Sequence, residues 1–199
     1  MFRIPLAALF CLSAFPVLAQ QATDAVAPEM TTDLSAPSED PILRAAQQAK
    51  AEGRAVAGER WMIAAAHPAA VKAGADVLRS GGTADAMVAA QAVLGLVEPQ
   101  SSGLGGGGFL LYYDARFGEV FTLDGRETAP MDATPLLFQE EGKPLGFFEA
   151  VVGGLSVGVP GTPALMAGAH QRWGQQGWAG LLEPAISLAE EGFEVSARL

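Results

Sequence analysis

Apolar residues fall at helical spacing from Pro68 onward. Val71, Ala75 and Leu78 recur at i, i+4 and i+7, while Lys72, Asp76 and Arg79 keep the same spacing on another face. That pattern predicts an amphipathic helix. Pro68 suits its first position, where no N–H bond is lost, which makes His67 a helix-entry residue. Gly81-Gly82 ends it. Thr83 is expected to cap the next helix, with Asp85 in a first turn that favours an anion. From Ala84 to Val97 the strongly polar residues are Asp85 and Gln91. A helix apolar on nearly every side is buried, and this one has too few residues to cross a membrane. Pro99 stops it.

The period then changes to that of a sheet. Phe109–Tyr113 and Glu119–Leu123 flank Asp114-Ala115-Arg116-Phe117-Gly118, which reads as a β-hairpin. Arg126 stands just past the second strand. Upstream, Trp61–Ala65 is a short strand-like apolar run. Ile42–Arg54 is a loose helix carried by Ala and Gln propensity, with little apolar face. Downstream, Pro130–Pro144 reads as loop. Val151–Val159, apolar and glycine-rich, reads as a strand or a packed loop. Thr162 caps a further helix with Pro163 in its first turn. Trp178, Leu181, Leu182, Ala185 and Ala189 form a last apolar stripe, Pro184 is expected to kink or divide it, and Gly192 closes it. That stripe has no later element to meet, so the chain reads as part of a longer protein. Helices around an antiparallel hairpin predict an α+β arrangement.

Composition narrows the function classes. The chain has 199 residues, is 50% hydrophobic and carries a formal net charge of -10. Acidity argues against a nucleic-acid partner, which needs clustered Lys and Arg. Arg3, the apolar run Ile4–Phe15 and Val17-Leu18-Ala19 predict a signal peptide over 1–19, cleaved before Gln20. The sole cysteine, Cys11, lies inside it, so the mature chain needs no disulfide. Residues 20–41, rich in Ala, Thr, Ser, Asp and Pro, read as a disordered linker. Residues 42–199 form the domain. The expected location is periplasmic or secreted, with no membrane association after cleavage.

Candidate chemistry begins at Gly103-Leu104-Gly105-Gly106-Gly107-Gly108. A glycine cluster marks backbone that turns sharply or is closely approached. The letters match G-x-G-x-x-G, but the dinucleotide fingerprint needs a strand before the glycines and a helix after them. Here the order is reversed. Metal binding has little support: His67 and His170 stand far apart, and His170, beside Gln171 and Arg172, reads as a solvated helix face. A serine–histidine–aspartate triad stays open on one sequence. Gly154-Leu155-Ser156-Val157-Gly158 matches G-x-S-x-G, yet Val157-Gly158-Val159-Pro160-Gly161 after the serine makes a poor helix, so the nucleophile-elbow reading is rejected. Arg126 is the strongest candidate. Its planar donors match a carboxylate, and the bland alternative is a surface ion pair with Asp124 or Glu127.

Four ordered segments carry a resemblance: Ala65-Ala66-His67-Pro68, Val97 to Phe109 with its glycines, Leu123-Asp124-Gly125-Arg126-Glu127-Thr128-Ala129-Pro130, and Gly158-Val159-Pro160-Gly161-Thr162. Pro184 to Phe193 fits too. Over roughly residues 60 to 199 the chain resembles the γ-glutamyltransferase (γ-glutamyltranspeptidase) family. The resemblance implies an N-terminal-nucleophile hydrolase, an αββα sandwich of which this chain is the N-terminal portion. It implies that Arg126 binds the α-carboxylate of a γ-glutamyl substrate such as glutathione. The precursor cuts itself into large and small subunits. The new N-terminal threonine of the small subunit attacks the γ-amide and passes the acyl group to water or to an amino-acid or peptide acceptor. No cofactor or metal is implied. No threonine here precedes histidine, so the family's Thr-Thr-His processing segment is expected beyond this chain, and with it every catalytic residue. Two rivals stand: a cephalosporin- or glutaryl-acylase-like amidase of the same family, and a non-catalytic periplasmic binder of amino acids or peptides.

Overall fold

Burial of small side chains organises the helical half. In the computed structural model, which describes residues 39–101, 103–196 and 199, the longest helix is α3, Thr83–Val97. Ala84, Ala86, Val88, Ala89, Ala90, Ala92, Val93 and Val97 are all buried. Other helices flank it on several sides, which is why its sequence is apolar nearly all round: α2, Pro68–Ser80; α5, Thr162–Trp173; and α6, Trp178–Glu191. No helix among the described residues is long and apolar enough to cross a membrane.

His67 enters α2 as expected, its Nδ1 accepting the Ala69 N–H at 3.2 Å. The buried face is Ala70, Ala73, Gly74, Ala75 and Val77, and the expected stripe of Val71 and Leu78 lies on its half-buried flank. Close approach decides this. A Cβ on Gly74 would stand 3.1 Å from Ala86 O, so only small residues fit beneath α3. Lys72 and Asp76 pair at 2.7 Å on the exposed face, and Arg79 pairs with Asp76 as well.

Three expected helix boundaries change. Gly82, not Thr83, caps α3, with φ +92. Asp85 folds back over that position, and a Cβ there would lie 2.6 Å from its Oδ2. Gly161, not Thr162, caps α5. The first helix, α1, is Pro41–Ala51, shorter at its C-terminus than expected. Asp40 caps it, accepting from Ile42 N at 2.9 Å and Leu43 N at 3.4 Å, and Leu43 and Ala49 supply an apolar face.

The last stripe does meet a partner: α6 packs on α3, with Leu181 only 1% exposed and Trp178, Leu182, Ala185 and Leu188 around it. Ala189 is exposed. Pro184 does not divide the helix. The bond it forfeits is that of Gly180, whose exposed position leaves the carbonyl open to water.

The hairpin forms as its alternation predicts. Strand β1, Gly108–Asp114, pairs antiparallel with β2, Glu119–Gly125, from Gly108 opposite Gly125 to Asp114 opposite Glu119. One face packs on α5, with Tyr112 stacked on Trp173 at 4.2 Å between ring centroids. The other face, with Phe109, Leu111, Tyr113 and Val120, is exposed. Trp61–Ala65 is not a strand. No ladder partner lies beside it among the described residues, and Ile63 and Ala65 pack on the helical core instead.

The expected loop at Pro130–Pro144 holds a tiny second hairpin, β3 (Gln139–Glu140) and β4 (Lys143–Pro144), turned at Glu141 and Gly142, both with positive φ. Val151–Val159 is no strand either. A short helix α4, Phe147–Val151, and a 3-10 turn, Gly154–Ser156, precede one bridge between Val159 and Thr128. The expected signal peptide, and the linker as far as residue 38, lie outside the described residues; Pro41, its last position, already opens α1.

Candidate functional site

At the end of β2 the chain leaves the hairpin through a side-chain-stabilised turn, the Arg126 N–H donating to Asp124 Oδ1 at 2.9 Å. The guanidinium Nη1 donates to Glu127 Oε2 at 2.5 Å. Both acidic neighbours considered from the sequence are therefore engaged, one through backbone and one through side chain. The arginine side chain is nonetheless 62% exposed. That pair engages only Nη1, so the guanidinium can take a second carboxylate beside Glu127. Arg126 lines a cleft of about 520 Å³. Residues 126–130 make one wall and Leu137, Phe138, Leu155 and Val157 contribute an apolar one.

Three of the sequence motifs converge on this arginine, and glycines make the convergence sterically feasible. Gly106 O accepts both Gly161 N at 2.9 Å and Thr162 N at 3.0 Å, so the Gly158–Thr162 strap docks on the glycine loop. Thr128 and Val159 exchange backbone bonds in both directions. A Cβ on Gly107 would stand 2.6 Å from Gly125 O and 2.7 Å from Glu127 N. A Cβ on Gly161 would collide with Gly125 O, and one on Gly125 would stand 2.6 Å from Leu165 Cβ. Any side chain at these points would force the segments apart. The sequence reading missed the strap as part of the site. The signal was the pair of glycines, Gly158 and Gly161, bracketing a proline.

The glycine loop comes after the C-terminus of α3, whose dipole repels a phosphate, so the nucleotide reading fails on structure as well as on order. Ser156, in the 3-10 turn, donates from Oγ to Val151 O at the end of α4 at 2.8 Å, and no helix directly succeeds it as an elbow requires. His170 is not on a solvated face. Its Nε2 lies 2.8 Å from Gln176 O, an acceptor, so the proton sits there; the ring meets Trp178 edge-on and comes within 3.8 Å of Asp85 Oδ1. Among the described residues no three metal-ligating side chains converge. A second depression, of about 300 Å³ beside Ile63, Leu78 and Met87, has no charged residue in its lining. Of these two depressions, the cleft at Arg126 is the one whose lining carries charged side chains suited to a polar ligand.

Comparison with known proteins agrees with these motifs. The family described as Gamma-glutamyltranspeptidase matches residues 70–199. The chain is 46% identical over 144 residues to the glutathione hydrolase proenzyme of Bacillus subtilis (strain 168), covering 71% of this chain and 24% of that protein. Among solved structures, Helicobacter pylori gamma-glutamyltranspeptidase superposes with a TM-score of 0.68 at 36% identity, covering 72% of this chain and 41% of that one. A cephalosporin acylase from Bacillus halodurans gives 0.53 at 32% identity, covering 65% and 24%. The chain spans about a quarter of the length of the curated relatives it matches. With the glycine loop, the arginine segment and the strap all inside the matched region, the chain belongs to the gamma-glutamyltranspeptidase family.

Proposed function

We propose that this chain is the N-terminal part of the large subunit of a γ-glutamyltransferase that hydrolyses glutathione and related compounds and transfers their γ-glutamyl group. The observation that carries the reading is Arg126, exposed at the mouth of β2 in a cleft with a glycine-buttressed wall. In this account the substrate's α-carboxylate takes two parallel bonds from the guanidinium fork. That anchor sets the γ-amide at a fixed distance from the arginine. A threonine supplied by the small subunit of the same precursor then attacks the γ-carbonyl. The carbon–nitrogen bond breaks, the amine leaves with a proton, and water or an amino-acid or peptide acceptor takes the acyl group from the ester. The chain's own residues supply binding and orientation.

The αββα sandwich is part of the same proposal. The hairpin has a helix, α5, on one face and an exposed apolar face opposite. A sheet with that pattern is completed by a second layer on the open side. A related reading, an acylase taking another acidic acyl group, draws on the similarity to the Bacillus halodurans enzyme and on the fact that Arg126 serves any such carboxylate. The acyl group preferred by the full-length enzyme separates the two.

In the full-length protein, Arg126→Ala removes a charge-assisted contact worth about 1.5–3 kcal/mol, so kcat/KM for γ-glutamyl-p-nitroanilide is expected to fall roughly ten- to a hundredfold. Arg126→Lys keeps the charge, loses the fork and falls between. Subunit cleavage persists in both. Unchanged kinetics would mean that Arg126 is only an ion-pair residue.

A further inference from the structure

A long, exposed side chain is held only as firmly as its partner. For Arg126 that partner is Glu127 Oε2, and a glycine lies close to Glu127 on each of two sides. A Cβ on Gly158 would stand 2.9 Å from Glu127 Cβ and 3.2 Å from Thr128 O. From the other side, a Cβ on Gly107 would stand 2.8 Å from Glu127 Oε2. The strap cannot retreat, because Val159 is bonded to Thr128 and Gly161 and Thr162 are bonded to Gly106.

We infer that Gly158 is a positioning residue for substrate binding: it lets the strap close on Glu127, whose carboxylate then holds the Arg126 guanidinium in the cleft. This rests on the reading of Arg126 proposed above. Alanine at 158 meets a Cβ and a backbone oxygen, neither of them a flexible tip, so residues 127 and 128 must shift and the ion pair shifts with them. Small displacements of a binding group are costly because alignment is part of what it contributes.

The test uses the full-length enzyme carrying Gly158→Ala, Arg126→Ala and both, with kcat and KM measured for γ-glutamyl-p-nitroanilide. Gly158→Ala is expected to raise KM about five- to tenfold while kcat stays within about twofold. In the Arg126→Ala background the same change adds nothing, since no guanidinium is left to misplace. An unchanged KM in Gly158→Ala, or an equal loss in both backgrounds, overturns the inference and leaves the strap a structural element. If Gly158→Ala does not fold, Glu127→Asp decides. It keeps the charge but withdraws the carboxylate by one methylene, and the same non-additive rise in KM is expected; an unchanged KM overturns the inference. An Arg126→Ala enzyme with unchanged KM overturns the reading of Arg126 itself, and this inference with it. An impaired Arg126→Ala beside an unimpaired Gly158→Ala overturns the inference alone.

Discussion

Asp85 sits in the first turn of α3 with its side chain fully enclosed. Its Oδ2 accepts the N–H groups of Gln175 at 2.8 Å and Gln176 at 3.0 Å, which joins α3 to the loop between α5 and α6. Gln176 extends the joint, its Nε2 donating to Ser80 Oγ and Gly81 O at the end of α2. Asp85→Ala takes the acceptor from two partly buried donors at about 1–2 kcal/mol each, so a total loss of roughly 2–4 kcal/mol is expected in urea unfolding, and less for Asp85→Asn, which keeps one acceptor. A loss below about 1 kcal/mol in the alanine variant would contradict the joint. From the sequence Asp85 was legible only as a partner of the helix dipole. Its bonded neighbours lie some ninety positions away, and no local pattern marks them. Arg126 was legible as a candidate because guanidinium chemistry is a property of the residue. That Glu127 would take its side chain while Asp124 takes its backbone N–H was not, since both carboxylates lie within two residues of it and the letters do not rank them.

At the scale of elements, periodicity was a sound guide where the partner lay close in sequence. The β1–β2 hairpin is dictated by its alternation and its turn, and α3 by an apolar run interrupted only at Asp85 and Gln91. Periodicity misled where an element's fate depends on distant neighbours. Trp61–Ala65 has a strand's composition but packs on helices, and the stripe of α6 closes on α3, which precedes it by some eighty residues. The hairpin turn also yields a pH prediction. Arg116 donates to Asp114 through Nε at 2.9 Å and Nη2 at 2.6 Å, and its backbone N–H adds a third bond at 3.0 Å. The Arg116 side chain, more than any other influence, holds the Asp114 carboxyl below the ordinary value of 3.8. The folded state thus favours the charged form. Its contribution to stability is full at neutral pH and is lost as the pH falls below 3.8 and through the lower folded-state value. Arg116→Ala is expected to move the Asp114 titration, tracked by carboxyl-carbon NMR, upward toward that ordinary value. An unmoved titration would show that the pairing does not set it.

For the whole molecule, the glycine loop, the arginine segment and the strap are one construction. Residues near 106, 126 and 160 meet within a few ångströms, and the apolar outer face of the hairpin stands open beside them. The motifs were legible singly, each by its own letters. Their convergence was not, because the glycines mark where backbone can be approached closely but not which distant segment makes the approach. The central claim is that this construction presents Arg126 to a substrate's α-carboxylate. Its most direct test pairs the arginine with the carboxylate itself. The full-length enzyme and its Arg126→Ala variant are compared on γ-glutamyl-p-nitroanilide and on 4-aminobutyryl-p-nitroanilide, the same donor without the α-carboxylate. The unmodified enzyme is expected to prefer the carboxylate-bearing donor by roughly ten- to a hundredfold in kcat/KM, and Arg126→Ala to reduce this preference to within about threefold. A preference that survives intact in Arg126→Ala would place the carboxylate's partner elsewhere and contradict the account.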